Sequence, residues 1–404
     1  MADAPAIVVT GMGLVLPTGV GLPAADAVFA GDSAVRYLNG EAGFPSAIGA
    51  PVAGFAPPAD TEGDDRATQM AMVAAEEAWR TAGLDRAALP PDRVAVVLSL
   101  SKGGVFALSR WAAGPAGPND SVGADAMARS DPSAAARRVA SRFRLTGPVL
   151  APVTACASGA TALAWAAGLV RRGAVDAAVV GAAEASLHPL VLGCYRRMGV
   201  LAEPNGDPAT SVRPFSATRR GFAIGEGAGV LVLERCDSAE ARGAAPLALV
   251  RGWATGCHAA GLTDLEPGGE TLAALIRSAL RRSATPPDDV DLVHAHGTAT
   301  PTNDVTEARA IRAALGPAGD AVSVCATKAS HGHLLGAAAA VEAVLTVLAI
   351  RRGLVPPTVN LTDPDPAVGL DCTPLVARPR PIRCALKIAS GFGGQMAAIV
   401  LARP

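Results

Sequence analysis

The sequence has few aromatic residues, no excess of charge of either sign and no closely spaced cysteine pairs. Aromatic side chains make up 3% of the 404 residues while half of all residues are apolar. A core must therefore be built from Ala, Val and Leu, with close backbone approach at many of the 44 glycines. This composition favours helices layered on sheets, either as two or three average domains or as one large two-lobed α/β unit.

Charge and cysteine usage exclude several kinds of protein. The formal net charge of −1 gives no overall field for binding nucleic acid or an anionic membrane surface. Seven cysteines, an odd number without a Cys-x-x-Cys spacing, argue against a disulfide framework and against a zinc site. We expect no metal, no nucleic-acid partner and a reduced, cytoplasmic location.

No segment has the pattern of a targeting peptide or a membrane span. The N-terminal MADAPAIVVTGMG lacks the charged start and the uninterrupted apolar core of a signal peptide. The longest apolar run, from Ala337 to Ile350, is interrupted by Glu342 and is too short to cross a bilayer.

Strand-like and helix-like segments alternate along the chain. A helix is predicted over residues 65–83, and the chain between Lys102 and Arg144, rich in Gly, Pro, Ser and Arg, is interpreted as an excursion from the core. We place a soft boundary near residue 240, which gives halves 1–240 and 241–404. Buried strands are predicted at residues 6–10, where Gly11 and Gly13 end the strand, and at 94–100, 177–180 and 229–234.

Cys156 lies where a strand-like stretch leads into an apolar helical run, in VTACASGATALAWAAGLV. The first amides of a helix have no internal partners and carry the positive end of its dipole. A cysteine there is biased toward the thiolate and has donors at hand for an oxyanion. A small buried packing residue is the alternative interpretation.

His296 follows a strand-like segment in DLVHAHGTATPTND, at the edge where open α/β sheets place their ligands. Asp304 and Glu307 lie in the first turns of the helix that follows, with the spacing of a capping box. They are interpreted as helix caps or as residues that support the site indirectly.

Lys328 and His333 flank a glycine-containing turn in ATKASHGHLLGA. Two neutral imidazoles can share a hydrogen bond to a developing enolate, so His296 and His333 together suit decarboxylation without a metal. Lys328 can supply a fixed positive field, and His331 lines the turn. A surface lysine and backbone-satisfied histidines are the alternative.

Two strands joined by a glycine-dense bend are predicted in KIASGFGGQMAAIVLA. Phe392, in the middle of the bend, is a candidate gate. A glycine-rich hairpin without a chemical role has the same pattern.

Together these motifs resemble the elongating β-ketoacyl-ACP synthases of the thiolase superfamily over nearly the whole chain. The resemblance is carried by TACASG, HGTATPTND and the segment from Lys328 to Ala338. It extends to RPFSATRRGFAIGEGAG and PPTVNLTDPDP, which occur in the same order. It implies a five-layered αβαβα fold of two pseudo-duplicated halves, the first carrying the thiol and the second both histidines.

The resemblance also implies roles. Cys156 would accept the acyl chain from a carrier-protein thioester, and His296 and His333 would assist decarboxylation of malonyl-ACP. Lys328 would support the site electrostatically, and the amides of Cys156 and Phe392 would form the oxyanion hole. Substrates would arrive on the phosphopantetheine arm of acyl carrier protein, with no other cofactor.

The residues that flank the glycine-dense bend resemble those of the ketosynthase α-subunits of type II polyketide systems more than those of housekeeping fatty-acid enzymes. Ser390 and the Gln395–Met396 pair replace a phenylalanine and Thr-Asn of the fatty-acid enzymes. Ser390 is expected to leave more room beside Phe392, and so to give a wider or differently gated acyl tunnel.

Other activities stay open. Fatty-acid elongation, a non-catalytic carrier-docking or dimerisation subunit, and a malonyl-ACP decarboxylase are the alternatives. The resemblance implies a homodimer, or a heterodimer with a chain-length-factor-like subunit; chain length, starter unit, cognate carrier and product do not follow from the motifs.

Overall fold

Ten strands of the computed structural model, which describes residues 6–39, 47–86, 89–114, 122–204, 206–263 and 265–404, form two sets of five. The first set is, in order of pairing, β6 (Val149–Leu150), β5 (Val94–Leu100), β7 (Ala177–Glu184), β9 (Gly227–Arg235) and β1 (Ile7–Leu16). The second set is β12 (Ser323–Cys325), β11 (Leu292–His294), β15 (Cys384–Gly391), β16 (Gln395–Ala402) and β10 (Ala248–Cys257).

Both sets have the same topology. Numbered along the chain within each set, the strands pair in the order 3-2-4-5-1. In each set the first three of these strands are parallel, and the fourth is antiparallel to both of its neighbours. The sets meet where β1 pairs with β10, so a duplicated unit forms one continuous sheet.

Helices cover the strand sets in three layers. One outer pair packs on the first set, a central pair lies between the two sets, and a second outer pair packs on the second set. These pairs are α2 (Arg66–Thr81) with α5 (Ala134–Arg142), α6 (Ser158–Arg171) with α12 (Ala338–Arg352), and α9 (Glu270–Arg282) with α10 (Pro301–Leu315). The five-layered αβαβα arrangement implied by the resemblance is confirmed.

The central helices are apolar on nearly every side because each is enclosed by strands and by the other helix. Every residue of α12 from Ala338 to Ile350 is buried, including Glu342. None of the helices in the described part of the chain is both long enough and apolar enough to span a membrane.

Short elements connect these layers. They are β2 (Gly19–Val20), α1 (Ala24–Ala30), β3 (Arg36–Tyr37), β4 (Ile48–Ala50), α3 (Val105–Ala112), α4 (Val122–Ser130), α7 (Pro189–Arg197), β8 (Ile224–Gly225), α8 (Cys236–Ala241), α11 (Lys328–His331), β13 (Leu354–Val355) and β14 (Arg378–Pro379). Single 3₁₀ turns at Ala155–Ala157, Leu335–Ala337 and Phe392–Gly394 border the site.

Several predicted elements are confirmed. The helix predicted over 65–83 is α2, whose N-cap Asp65 accepts a hydrogen bond from the amide of Ala67. The strand predicted at 94–100 is β5, and the strands predicted at 177–180 and 229–234 are the cores of β7 and β9.

Two expectations were wrong. Gly11 and Gly13 do not end the first strand, because β1 continues through them to Leu16. A Cβ at Gly13 would lie 1.9 Å from the carbonyl oxygen of Ala74, so these glycines let α2 lie directly on the strand. Part of the predicted excursion is core, since α5 buries apolar side chains against α2 and β5. Residues 115–121 lie outside the described residues.

Candidate active site

The Cys156 thiol lies in the 3₁₀ turn that leads into the central helix α6. Ala155 has a φ of +48°, a left-handed conformation that is strained for a residue with a Cβ. Ser158 Oγ accepts a hydrogen bond from the Thr154 amide at 2.9 Å and donates to the Ala155 carbonyl at 2.7 Å. The turn is therefore locked with the cysteine at the start of a helix, where the sequence predicts it.

His296 lies two residues beyond the end of β11, at the carboxyl edge of the parallel strands. Its backbone amide donates to Glu307 at 2.5 Å, and the amide of Gly297 donates to the same carboxylate at 2.8 Å. Within the described residues His296 Nδ1 has no hydrogen-bond partner. The imidazole is thus positioned through its backbone.

Asp304 and Glu307 do not form the predicted capping box. Helix α10 begins at Pro301, and its N-cap residue Thr300 makes no side-chain cap. Asp304 instead accepts from the amides of Ala299 at 3.1 Å and Phe215 at 2.7 Å. Burial is the largest influence on both carboxyls and raises their pKa above the usual values. The hydrogen bonds from backbone amides offset part of this increase. Both carboxyls therefore reach back and hold the loop that carries His296.

His333 follows α11 and the left-handed Gly332. Its Nδ1 accepts a hydrogen bond from the Leu335 amide at 3.2 Å, so a neutral ring carries its proton on Nε2. His331 is held locally instead, with Nδ1 2.8 Å from the Gly332 carbonyl and Nε2 2.9 Å from the Thr327 hydroxyl. His333 presents a donor, whereas His331 lines the turn as predicted.

Cys156, His296 and His333 line one cavity of about 220 Å³, together with Ser390 and Phe392. The two imidazole centroids are 5.3 Å apart and the ring planes are inclined by 80°. Residues from three distant stretches of sequence thus surround a space that suits a thioester.

The two strands predicted on either side of the glycine-dense bend are the hairpin β15–β16, and the bend forms one wall of this cavity. A Cβ at Gly391 would lie 2.8 Å from the carbonyl oxygen of Thr154 and 2.9 Å from the amide nitrogen of Cys156. Only glycine fits there, so the amide of Phe392 can approach the amide of Cys156. The Phe392 ring stacks on Tyr195, with centroids 6.1 Å apart.

Lys328 does not line the cavity but lies behind His296. Its fully buried Nζ is 2.5 Å from Glu342 Oε1 and donates a short hydrogen bond to the His296 carbonyl. Glu342 was missed as a site residue. The only signal in the sequence was a single charge inside the apolar run of α12.

Burial and the charge of nearby lysines keep the rings of His296 and His333 neutral. Desolvation first, and then the charge of Lys328, lowers the pKa of His296 and of His333 well below the usual histidine value. At neutral pH the two rings are therefore imidazoles that donate without carrying charge.

The Cys156 thiol is harder to ionise than its place in the sequence predicts. Burial raises the pKa of Cys156 to about 11, and the charges of Lys102 and Lys328 lower it. The resting form at neutral pH is therefore the thiol, and the predicted bias toward thiolate is outweighed by desolvation.

A second ionic group, Lys102 with Glu184, was missed in the sequence and acts on the Cys156 thiol electrostatically. Lys102 Nζ is 3.6 Å from Glu184 Oε1 and 5.9 Å from the centroid of the Tyr195 ring. Lys102 lies two residues beyond the end of the buried strand β5, and this position at a strand end is the signal that the sequence contains. Thr298, Thr300 and Phe222 also line the cavity and were not predicted.

The described part of the chain contains no cluster of three or more His, Cys, Asp or Glu side chains that could hold a metal ion.

Two family models match the chain. The model for the N-terminal domain of β-ketoacyl synthases matches residues 4–239, and the model for the C-terminal domain matches residues 247–362.

Curated relatives match over almost their full length. The tetracenomycin polyketide synthase ketoacyl synthase alpha subunit of Streptomyces glaucescens is 36% identical, over 98% of this chain and 97% of the relative. A 3-oxoacyl-[acyl-carrier-protein] synthase 2 of Coxiella burnetii is 33% identical, over 98% of both chains.

Solved structures match equally well. The AntDE:AntF structure, described as a type II PKS acyl-carrier protein in complex with its ketosynthase bound to the hexaketide, superposes with a TM-score of 0.92 at 32% identity. The ishigamide ketosynthase/chain length factor superposes with a TM-score of 0.89 at 32% identity. Both alignments cover 100% of each chain.

Removing the charge of Lys102 should slow alkylation of Cys156. Because Lys102 is the largest of the positive influences that lower the thiol pKa, Lys102→Met should raise that pKa and reduce the rate with iodoacetamide at pH 8 by about threefold or more. Peptide mass spectrometry separates Cys156 from the exposed Cys194 and Cys257. Lys102→Arg is the matched control; equal rates for the Met variant and wild type would contradict this electrostatic account.

Proposed function

The chain belongs to the β-ketoacyl synthase family of decarboxylating acyltransferases, and on this premise we propose that it is the condensing ketosynthase of a type II polyketide system. The observation that carries the proposal is the convergence of Cys156, His296 and His333 on one cavity. Neutral histidines beside a thiol suit a Claisen condensation driven by decarboxylation.

In the first half-reaction, Cys156 Sγ attacks the thioester of an acyl carrier protein. A new thioester forms on Cys156, the bond to the carrier sulfur breaks, and the thiol proton passes to the departing carrier. The amides of Cys156 and Phe392 stabilise the oxyanion of the tetrahedral intermediate. The backbone at Gly391 lies so close to the Cys156 amide that a Cβ would not fit, which supports the pairing of the Cys156 and Phe392 amides in one oxyanion hole.

In the second half-reaction, malonyl-ACP loses carbon dioxide and its thioester becomes an enolate. His333 Nε2–H and the His296 ring donate hydrogen bonds to the enolate oxygen, and Lys328 adds a fixed positive charge behind His296. The enolate carbon attacks the Cys156 thioester, the thiolate leaves, and a β-ketoacyl-ACP longer by two carbons is released. Cys156 then regains a proton.

The presence of the nucleophile distinguishes this proposal from a non-catalytic subunit. Fatty-acid elongation is the second candidate, since a 3-oxoacyl-[acyl-carrier-protein] synthase 2 is also among the relatives. Ser390 and the Gln395–Met396 pair favour the polyketide role.

We extend the proposal to partners. An acyl carrier protein delivers both substrates on its phosphopantetheine arm, and the reaction needs no other cofactor. The neighbour described as a carrier protein in complex with its ketosynthase and the neighbour described as a ketosynthase/chain length factor support a carrier and a pairing subunit. A homodimer is the alternative assembly, and a cytoplasmic location stays a prediction.

Separate assays of the two half-reactions test the proposed roles. Cys156→Ala should abolish the acyl adduct and reduce condensation by roughly 10³-fold or more, while malonyl-ACP is still decarboxylated. His333→Ala should still form the adduct but lose decarboxylation by about 10²-fold, because an enolate donor is missing. Intact-protein mass and carbon dioxide release are the readouts, with Cys194→Ala as control. Condensation by Cys156→Ala would overturn the assignment.

The room beside Phe392 can be tested at Ser390. A phenyl ring in Ser390→Phe should narrow the cavity, so acyl transfer from octanoyl-ACP should fall by about tenfold relative to transfer from acetyl-ACP. Ser390→Ala, which keeps the space, should preserve the ratio. An equal loss for both acyl groups would show that Ser390 does not shape the acyl tunnel.

A further inference from the structure

A second fully buried lysine, Lys387 on β15, lies beneath the loop that carries His296. Its Nζ donates hydrogen bonds to the carbonyls of His294 at 3.3 Å, Ala295 at 3.2 Å and Ile388. Glu342 Oε2 lies 2.6 Å from the same Nζ as an ion pair. Lys387 does not line the catalytic cavity, and the proposed mechanism does not use it.

Charge balance does not account for this lysine. Glu342 already forms an ion pair with Lys328 through Oε1, so the two buried lysines share this carboxylate as their ion-pair partner. Burying an ammonium is unfavourable unless its donors are satisfied. The donors of Lys387 are satisfied mainly by backbone carbonyls, so its effect falls on the backbone that it contacts.

Two of the three carbonyls, those of His294 and Ala295, belong to the residues that precede His296. The His296 ring lacks a hydrogen-bond partner at Nδ1 among the described residues, whereas His333 has one, so the position of the His296 ring depends on the backbone that carries it. Glu307 holds the amide of His296, Lys328 holds its carbonyl, and Lys387 holds the residues just before it. The neighbouring His294 ring is fixed separately by the Thr346 and Thr327 hydroxyls.

We propose that Lys387 is a positioning residue for His296, which fixes the exit of β11 so that the imidazole faces the malonyl thioester. The proposal rests on the proposed function and deepens it by adding a residue that acts only on the decarboxylation half-reaction. The acylation of Cys156 depends on the turn at Ala155–Ala157, which Lys387 does not contact.

The test measures both half-reactions in Lys387→Met, whose side chain has nearly the same length without donors. Malonyl-ACP decarboxylation should fall by about tenfold or more, because small displacements of a catalytic group are costly. Acyl-adduct formation on Cys156 should change less than about twofold. Ile388→Val, a buried change on the opposite face of β15, is the matched control and should leave both rates unchanged.

A double-mutant cycle distinguishes positioning from a general structural effect. If Lys387 acts through His296, Lys387→Met should cause no further loss of decarboxylation in a His296→Ala background. Equal loss of both half-reactions, unchanged decarboxylation, or fully additive losses in the double mutant would overturn the proposal.

Lys387→Gln repeats the same cycle if the Met variant does not fold, as judged by circular dichroism. The wild-type enzyme separates the two proposals. If the wild-type enzyme forms no adduct and releases no carbon dioxide, the proposed function fails. If the wild-type enzyme is active and the Lys387 variants do not lose decarboxylation more than adduct formation, only the positioning role fails.

Discussion

The ion pair between Lys328 and Glu342 is the contact on which the geometry of the site depends. It ties the central helix α12 to the short helix α11 and, through the His296 carbonyl, to the loop after β11. Leaving one partner of such a buried pair without the other costs about 3–5 kcal/mol. The pair is therefore an anchor that both histidine segments share, and it lies where solvent does not weaken it.

Strain is concentrated around the same cavity. Three residues with a Cβ have left-handed backbone conformations beside the functional groups: Ala155 before the thiol, Ala299 in the His296 loop and Leu335 after His333. Such conformations persist only where surrounding contacts over-determine them. Ser158 holds the Ala155 carbonyl, Asp304 holds the Ala299 amide, and His333 Nδ1 accepts a hydrogen bond from the Leu335 amide. These polar side chains thus serve mainly to hold the backbone around the cavity in place, and fewer polar groups are left to act on the substrate.

The sequence was sufficient for the fold and for the placement of Cys156, His296 and His333, because long motifs in a fixed order carry both. It was insufficient for Lys387 and Glu342, since their partners are carbonyls and side chains from other layers, which no local spacing records. Asp304 and Glu307 show the same limit: one spacing fits a helix cap and a carboxylate that reaches back to a loop. The thiol was misjudged because burial, which depends on the whole fold, outweighs its place at a helix start.

A crystal structure with a non-hydrolysable malonyl-thioester analogue bound beside acylated Cys156 would show whether Cys156, His296 and His333 act on one thioester. We expect the analogue's thioester oxygen to lie within about 3.2 Å of Nε2 of both His296 and His333, with its reactive carbon facing the acyl-cysteine. An analogue that binds with its thioester away from either imidazole, or an acyl group attached to a different cysteine, would contradict it.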